Sequence, residues 1–390
     1  MKWLTSNLYV VTVAGAVLLV GSFVRFRLAW PNQIAFWAGA GLLLVALLGL
    51  AVVVLSPPGQ IDTIDEKDHV GPKPKVPWSA IERLQLTWDS NSIADWPASE
   101  TLAEISEIAY QPPFEAEKRF HALGFPKVMP VVQGSMIGYV VSGENVTVVV
   151  FRGTDFNEVS DWLANLGRSA IDTPHGAAHK GFYNAYQSMK SQVGAILDER
   201  DTTHLWVTGH SLGGAIALVC AYDLVESDKR QLDGLITFGQ PMVARQELAN
   251  YLDTLLVGRY ARFVNRDDVV PKVPPSHAAC GSLVWFTDAG IRRSKVRQLL
   301  YGAPCTASPS VGGEPTVGAK DDADVKPLTE AEFEALQAKL KAANAAKERL
   351  PEGTPMTYQA APSLLDDHYM WHYLEKVRTL LGLDATKTVQ

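Results

Sequence analysis

Ser211 lies between two glycines in the pentapeptide Gly209-His210-Ser211-Leu212-Gly213. The apolar run HLWVT before it is typical of a strand, and the Ala-rich run LGGAIALVCAYDLV after it is typical of a helix. Glycines on both sides remove the side chains that would collide where a strand and a helix pass closely. The pattern therefore predicts a sharp strand-to-helix turn that presents the Ser211 hydroxyl at the carboxyl end of a sheet. The helix N-terminus behind it favours developing negative charge.

A serine hydroxyl is a poor nucleophile near neutral pH unless a base takes its proton and a carboxylate orients that base. Candidates for both partners follow Ser211 along the chain. Asp267 and Asp268 come after the strand-like run RYARFVN and before a proline-containing loop, and His368 and His372 lie near the C-terminus. The order Ser, Asp, His is that of the α/β-hydrolases. The residues alone do not decide which aspartate is the acid and which histidine is the base.

The composition of the 390 residues indicates a globular protein and argues against a nucleic-acid-binding one. Hydrophobic residues make up 47% of the chain, which is enough for a sizeable core. The net charge of -7 is the opposite of the basic surface that binds nucleic acids. No C-x-x-C, H-E-x-x-H or G-x-G-x-x-G motif occurs, so neither a metal nor an organic cofactor is expected. Of the three cysteines, Cys280 and Cys305 leave two alternatives open, a disulfide in an oxidising compartment or two reduced thiols.

The N-terminal residues 1–56 contain two apolar segments. Residues 3–24 and 34–55 contain no Asp, Glu, Lys, Arg or His, and each is long enough to cross a bilayer core as a helix. A cleaved signal peptide is the alternative for the first segment. We expect two retained spans, which make the protein an integral, multi-pass membrane protein. Arg25 and Arg27 in the connecting loop favour a cytoplasmic loop and an extracytoplasmic domain. Lysines at the outer ends of the two segments, Lys2 and Lys67, nearly cancel this preference.

The rest of the chain divides by composition. Residues 57–95 are rich in Pro, Gly and charge and are interpreted as a linker. Strand-like and helical runs alternate over residues 96–300, and residues 363–390 are assigned to the same domain. We therefore expect an α/β fold with a mostly parallel central sheet covered on both faces.

Residues 301–362 are interpreted as a partly disordered insertion that contains one helix. Thr329 and Glu332 form a capping-box pattern at the start of that helix. Its narrow apolar stripe consists of Phe333, Leu336 and Leu340. No chemistry is assigned to this segment.

Several motifs together resemble the class 3, or fungal-type, lipases of the α/β-hydrolase fold. The likeness rests on eight segments, SEIAY (106–110), VVVFRGTD (148–155), DWLANL (161–166), HKGFYNAY (179–186), GHSLGGAIA (209–217), FGQPMV (238–243), VNRDDVVPKVP (264–274) and DDHYMWHYL (366–374). The resemblance implies an α/β-hydrolase fold that carries a serine nucleophile. The membrane hairpin, the linker and the insertion lie outside it.

The resemblance also selects among the candidate partners. Ser211 matches the nucleophile of the family. Asp268 stands directly before the family's x-V-P run, which favours it over Asp267 as the acid. His368 matches the histidine of the family's D-H-x-x-x-x-Y segment, and His372 is the alternative.

A tetrahedral intermediate needs preorganised hydrogen-bond donors for its oxyanion. The backbone N–H of Leu212, the first residue after the nucleophile, is one expected donor. The resemblance implies that Thr154 in the F-R-G-T segment supplies the other through its backbone N–H and hydroxyl. His179 matches a family position that supports the core near the active site, and a hydrogen-bonded buried histidine is an equal interpretation.

Between residues 155 and 166 apolar side chains recur at helical spacing, namely Phe156, Val159, Trp162, Leu163 and Leu166. In the class 3 lipases this position carries a short lid helix over the active site. An apolar stripe that covers an acyl pocket in water can swing out and bury itself in lipid at an interface. We therefore expect a lid here, with a fixed core helix as the alternative.

These features predict a membrane-anchored serine ester hydrolase that acts on acylglycerol or other lipid esters through an acyl-enzyme. A phospholipase A1-type activity and a thioesterase or acyltransferase activity are alternatives, since both use the same intermediate. A catalytically inactive hydrolase fold that serves as an interaction module is the alternative from another class. No protein partner is inferred.

Overall fold

The computed structural model of the chain describes residues 62–63, 78–89, 92, 94–155, 158–294, 325–347 and 363–383. The two predicted membrane spans, residues 3–24 and 34–55, lie outside these ranges and stay a prediction. Within the described ranges, no helix has the length and apolar character needed to cross a bilayer.

The described strands form one large sheet and one small one. The large sheet contains β1 (Asp62–Thr63), β2 (Lys127–Gln133), β3 (Met136–Gly143), β4 (Val146–Phe151), β7 (His204–His210), β8 (Gly234–Phe238), β9 (Tyr260–Asn265), β10 (Ser282–Thr287) and β11 (Gly290–Ser294). The small sheet is the hairpin of β5 (Ala170–Thr173) and β6 (Gly176–His179).

The described strands of the large sheet follow the spatial order β1-β11-β10-β9-β8-β7-β4-β3-β2. Its five central strands, from β10 to β4, pair in parallel. The outer strands pair antiparallel. Short turns that reverse the chain join β2 to β3, β3 to β4 and β10 to β11, whereas β1 comes from a distant part of the chain and pairs with β11 at the edge. The predicted α/β fold with a parallel central sheet is therefore confirmed, and the antiparallel pairs lie at its two edges.

Helices cover both faces of this sheet, as the burial of its central strands requires. They are α1 (Ala80–Leu84), α2 (Trp96–Ile108), α3 (Pro113–Ala122), α4 (Val159–Ala164), α5 (Lys180–Asp198), α6 (Leu212–Glu226), α7 (Gln246–Leu255), α8 (Glu330–Lys347) and α9 (Met370–Leu381). Short 3-10 turns occupy Val270–Lys272 and Ser363–His368. The second of these turns leads into α9.

The central strand β4 shows how the two faces are filled. All six of its residues are buried. Val149 and Phe151 belong to the core shared with α5 and α6, whereas Val148 and Val150 belong to the core shared with α2 and α9. Side chains of a strand alternate between faces, so a strand buried on both sides reads as a continuous apolar run.

The packed domain begins earlier than the predicted linker boundary at residue 95. Helix α1 lies within the predicted linker, and Ile81, Leu84 and Trp88 are buried in the core of the domain. The Trp88 ring stacks on Trp206 of β7 with the ring centroids 6.3 Å apart. A helix of five residues is too short to give a helical periodicity, which explains why the composition suggested a linker.

The predicted helix of the insertion is present as α8 and begins at the predicted capping box. The Thr329 N–H donates to Glu332 Oε2 at 2.8 Å, and the Glu332 N–H donates to Thr329 Oγ1 at 3.3 Å. Phe333 and Leu340 are fully buried in the main core, so this helix is firmly packed rather than loosely attached.

Cys280 is a buried free thiol. Burial raises the pKa of the Cys280 thiol well above its ordinary value, so it carries no charge at neutral pH. Cys305, the other half of the suggested pair, lies outside the described residues.

Candidate active site

Ser211 occupies a strained turn between β7 and α6. Its backbone has φ 57° and ψ -131°, and residues other than glycine rarely adopt a positive φ of this size. A Cβ atom at Gly209 would lie 2.4 Å from the carbonyl oxygen of Gly213, and one at Gly213 would lie 2.0 Å from the carbonyl oxygen of Phe151. Only glycine fits at either position. The sharp turn predicted from the pentapeptide is present.

The structure brings together the three side chains selected from the sequence. His368 Nε2 lies 2.8 Å from Ser211 Oγ, and His368 Nδ1 lies 2.8 Å from Asp268 Oδ2. Because a carboxylate only accepts, Nδ1 carries the proton and Nε2 accepts from the serine hydroxyl. Ser211 and Asp268 are 0% exposed and His368 is 2% exposed. The result is a continuous hydrogen-bonded chain shielded from solvent.

Asp268 is held by two further donors. Its Oδ1 accepts from the Val270 N–H at 2.9 Å, and its Oδ2 accepts from the Tyr373 hydroxyl at 2.5 Å. Burial and the Asp268 charge raise the pKa of Tyr373 well above its ordinary value, so the phenol stays protonated and donates. Tyr373 is the last residue of the D-H-x-x-x-x-Y segment, and no separate role was predicted for it.

The two alternative residues do not join this chain. Asp267 is exposed, and its N–H donates to Asp367 Oδ2 at 3.3 Å. His372 is part-exposed, and its ring lies tilted against that of Trp371 with the ring centroids 3.4 Å apart. Burial lowers the pKa of His372 somewhat. His368 is therefore the histidine that contacts Ser211, and Asp268 is the aspartate that contacts His368.

The segment that holds Thr154 approaches the nucleophile through its preceding glycine. A Cβ atom at Gly153 would lie 3.1 Å from the Ser211 Cβ atom. The Thr154 hydroxyl oxygen is buried and has no hydrogen-bond partner within the described residues. Leu212 is the first residue of α6, where backbone N–H groups have no partner within the helix. Leu212 thus follows Ser211 in the chain, and Thr154 follows the glycine that lies against Ser211.

The predicted lid residues fall on or beside helix α4. Val159, Leu163 and Leu166 are buried, and the half-buried Trp162 ring lies 6.4 Å from that of Phe182. Phe156, the fifth predicted lid residue, lies outside the described residues. The apolar stripe is therefore covered in this conformation.

Helix α8 of the insertion contributes to that cover. The Ser160 hydroxyl donates to Asn344 Oδ1 at 2.8 Å. Gln337 Nε2 donates to the carbonyl oxygens of Leu166 at 3.0 Å and Leu163 at 3.3 Å, at the C-terminal end of α4. These two bonds connect the side chain of Gln337 on α8 directly to the backbone at the end of α4.

A charged contact joins the same two segments. Arg168 Nε lies 2.8 Å from Glu330 Oε2, and Arg168 Nη2 lies 3.4 Å from Glu334 Oε1. The guanidinium carbon also lies 5.1 Å from the centre of the Phe333 ring. Since all three ionic side chains are partly exposed, each ion pair contributes modestly.

His179 serves the fold in the contacts that the structure describes. Its Nε2 donates to the Gly167 carbonyl oxygen at 3.0 Å, and its Nδ1 accepts from the Phe182 N–H at 3.4 Å. Burial lowers the pKa of His179, which keeps it neutral. His179 caps the N-terminus of α5, which fits the interpretation of this residue as a hydrogen-bonded buried histidine.

A serine on a strand-to-helix turn, joined to Asp and His from later segments over a parallel sheet, defines the α/β-hydrolase class of proteins. Residues 148–278 match the family model described as Lipase (class 3). Over these residues the chain is similar to the class 3 lipases of the α/β-hydrolase superfamily.

Individual relatives align over part of their length. A lipase of Rhizomucor miehei is 35% identical over 160 residues, 37% of this chain and 43% of that protein. A secreted mono- and diacylglycerol lipase of Fusarium solani is 33% identical over 159 residues, 37% of this chain and 47% of that protein. The solved Rhizomucor miehei triacylglyceride lipase is 26% identical with a TM-score of 0.43, over 50% of this chain and 82% of that chain. The chain thus spans less than half the length of the two curated relatives.

Proposed function

We propose that the protein is a serine ester hydrolase that acts on acylglycerols. The observation that carries the proposal is the hydrogen-bonded chain from Ser211 through His368 to Asp268. His368 takes the serine proton while the oxygen attacks the ester carbonyl, and then donates that proton to the leaving alcohol. Water, activated by the same imidazole, hydrolyses the acyl-enzyme and restores the serine.

The oxyanion of each tetrahedral intermediate is stabilised by Leu212 and Thr154. The unpartnered buried hydroxyl of Thr154 supports this role, because a donor that has no partner at rest keeps its hydrogen bond for the charged intermediate. The N-terminus of α6 adds a favourable dipole for the same charge.

A lipid ester fits the covered site. Ser211 is 0% exposed, so a substrate needs part of the cover to move. Helix α4 is the segment that we propose to move, since its apolar residues Val159 and Leu163 can be buried in lipid instead of in the protein. The name of the Fusarium solani relative, a mono- and diacylglycerol lipase, supports acylglycerols as the ester class. Anchoring through residues 1–56 would hold the enzyme at such a surface.

The test compares the wild-type chain with Ser211→Ala and, as a matched control, Ser188→Ala at an exposed serine of α5. We expect hydrolysis of a diacylglycerol emulsion by the wild type and the control but not by Ser211→Ala. Retained hydrolysis in Ser211→Ala would contradict the mechanism. Faster hydrolysis of phospholipid vesicles than of acylglycerol would replace the substrate class with a phospholipase A1-type one, and no reaction with any ester or with a fluorophosphonate would favour an inactive module.

A further inference from the structure

His210, the residue directly before the nucleophile, has a buried side chain that the mechanism above does not use. Its Nε2 lies 2.7 Å from the carbonyl oxygen of His368, and its Nδ1 lies 2.7 Å from the Tyr110 hydroxyl. The residue is 1% exposed, and its ring centre lies 4.6 Å from that of His368. A second imidazole therefore contacts the main chain of the first.

The partners of His210 fix its proton. A carbonyl oxygen only accepts, so Nε2 carries the hydrogen and donates it to His368. Nδ1 is then bare and accepts from the Tyr110 hydroxyl. Burial and the neighbouring His368 ring lower the pKa of His210 well below its ordinary value, so it stays neutral. A neutral ring does not oppose the positive charge that His368 takes up when it accepts the serine proton.

The carbonyl before His368 is held in the same way. Asn265 Nδ2 donates to the carbonyl oxygen of Asp367 at 2.9 Å. Asn265 is the last residue of β9 and His210 is the last residue of β7. Side chains at two strand ends thus hold the peptide groups on both sides of His368.

Tyr110 extends this arrangement to the segment that carries Thr154. Its hydroxyl donates to His210 Nδ1 and lies against Gly153, where a Cβ atom would come within 2.1 Å of the phenol oxygen. One phenol oxygen therefore touches both the oxyanion segment and the residue that holds His368. Tyr110 itself extends from the C-terminal end of α2, a firmly packed helix.

We propose that His210 and Tyr110 are positioning residues, which fix the main chain of His368 so that its Nε2 stays directed at Ser211. The inference rests on the proposed ester hydrolase activity and deepens it. Proton transfer depends steeply on the distance and angle between base and hydroxyl, so freeing the His368 carbonyl reduces turnover without removing a reacting group.

The test compares His210→Gln with His210→Leu on a soluble short-chain ester. The two side chains are similar in size and both lose the ring, but the glutamine amide can still donate to the His368 carbonyl. We expect His210→Leu to lower kcat by about 10- to 100-fold with little change in KM, and His210→Gln to recover most of that loss. The rate at which a fluorophosphonate labels Ser211 is expected to fall in proportion to kcat.

Tyr110→Phe keeps the ring of residue 110 and removes only its hydroxyl. We expect a lower kcat at unchanged KM, because the His210 ring then loses the hydrogen bond that sets its tautomer. This variant serves as the second test if His210→Leu fails to fold.

Two outcomes separate the possible failures. Suppose that the wild type hydrolyses ester and is labelled. If the Gln and Leu variants then lose equal activity and equal thermal stability, His210 only fills space and this inference is wrong. Full kcat in Tyr110→Phe would also contradict the inference, because Tyr110 would then have no positioning role. If the wild type neither hydrolyses ester nor takes the label, the proposed function itself fails and the inference fails with it.

Discussion

Tyr373 donates a hydrogen bond of 2.5 Å to Asp268 Oδ2, the same carboxylate oxygen that faces His368 Nδ1. Tyr373 also accepts from the Asn265 N–H at 3.0 Å. One phenol on α9 therefore links the acid on the loop after β9 to the helix that follows His368. The contact fixes both partners of the nucleophile relative to each other.

Removal of this phenol provides the first prediction. Tyr373→Phe deletes a hydrogen bond to a charged group, which is worth about 1.5 to 3 kcal/mol, and leaves Asp268 and His368 free to shift. We expect kcat for ester hydrolysis to fall by about tenfold or more. Tyr183→Phe, at a half-buried tyrosine of α5, is the control and should retain the wild-type kcat. Wild-type kcat in Tyr373→Phe would show that the contact is dispensable.

Thr154→Val tests the proposed oxyanion donor. The two side chains have nearly the same shape, so the variant loses only the hydroxyl. We expect kcat to fall by about 10²- to 10³-fold with little change in KM. Thermal stability should hardly change, because the hydroxyl has no partner within the described residues of the resting protein. Thr154→Ser should retain most of the activity, and equal losses in the Ser and Val variants would argue against a hydroxyl donor.

The contact between Arg168 and helix α8 tests the proposed movement of α4. Arg168→Glu places a carboxylate beside Glu330 and Glu334, which should loosen α8 from the segment that follows α4. We expect faster turnover of a soluble short-chain ester and a smaller increase in rate when a lipid surface is added. Lys118→Glu, at an exposed residue of α3, makes the same charge change elsewhere.

A second variant shows whether the Arg168 effect arises from charge. Combining Arg168→Glu with Glu330→Arg and Glu334→Arg restores opposite charges and should restore the wild-type dependence on a lipid surface. If Arg168→Glu and Lys118→Glu behave alike, α8 does not restrain α4.

Asp95, the N-cap of α2, gives a prediction about stability and pH. Burial raises the pKa of Asp95 to about 6, against an ordinary value of 3.8, although the Ala98 N–H partly offsets this. The folded protein therefore holds this proton more tightly than the unfolded chain does. The stabilising contribution is complete below the ordinary pKa and is lost as the pH rises through about 6.

Asp95→Asn keeps an oxygen that can accept from Ala98 but carries no charge. We expect this variant to be more stable than the wild type by about 1 to 3 kcal/mol above the raised pKa, with the gain vanishing in acid. Urea unfolding from about pH 4 to about pH 8 measures the difference. A gain independent of pH would show that the Asp95 charge is not the cause.

The sequence predicted the parts of the site that depend on local rules. The glycines around Ser211 are required by close backbone contacts, so the turn could be read from five residues. The choice of Asp268 over Asp267 as the acid came from the resemblance to class 3 lipases. In the structure Asp268 is buried and contacts His368, whereas Asp267 is exposed.

The parts that the sequence did not predict depend on contacts between distant segments. His210 was noted only as a member of the pentapeptide, since nothing local shows that its ring meets a carbonyl 158 positions away. The apolar stripe of α8 was recognised, but the surface that it covers on α4 could not be read from periodicity. Strands β10 and β11 were also not predicted.

The most direct test of the central claim is the site and the rate of labelling by a fluorophosphonate, followed by peptide mass spectrometry. The account predicts a single adduct on Ser211 in the wild-type chain. It also predicts labelling slower by about 10³-fold or more in His368→Ala, because the hydroxyl then lacks its base. An adduct on another residue, or equal labelling rates in the wild type and His368→Ala, would contradict the account.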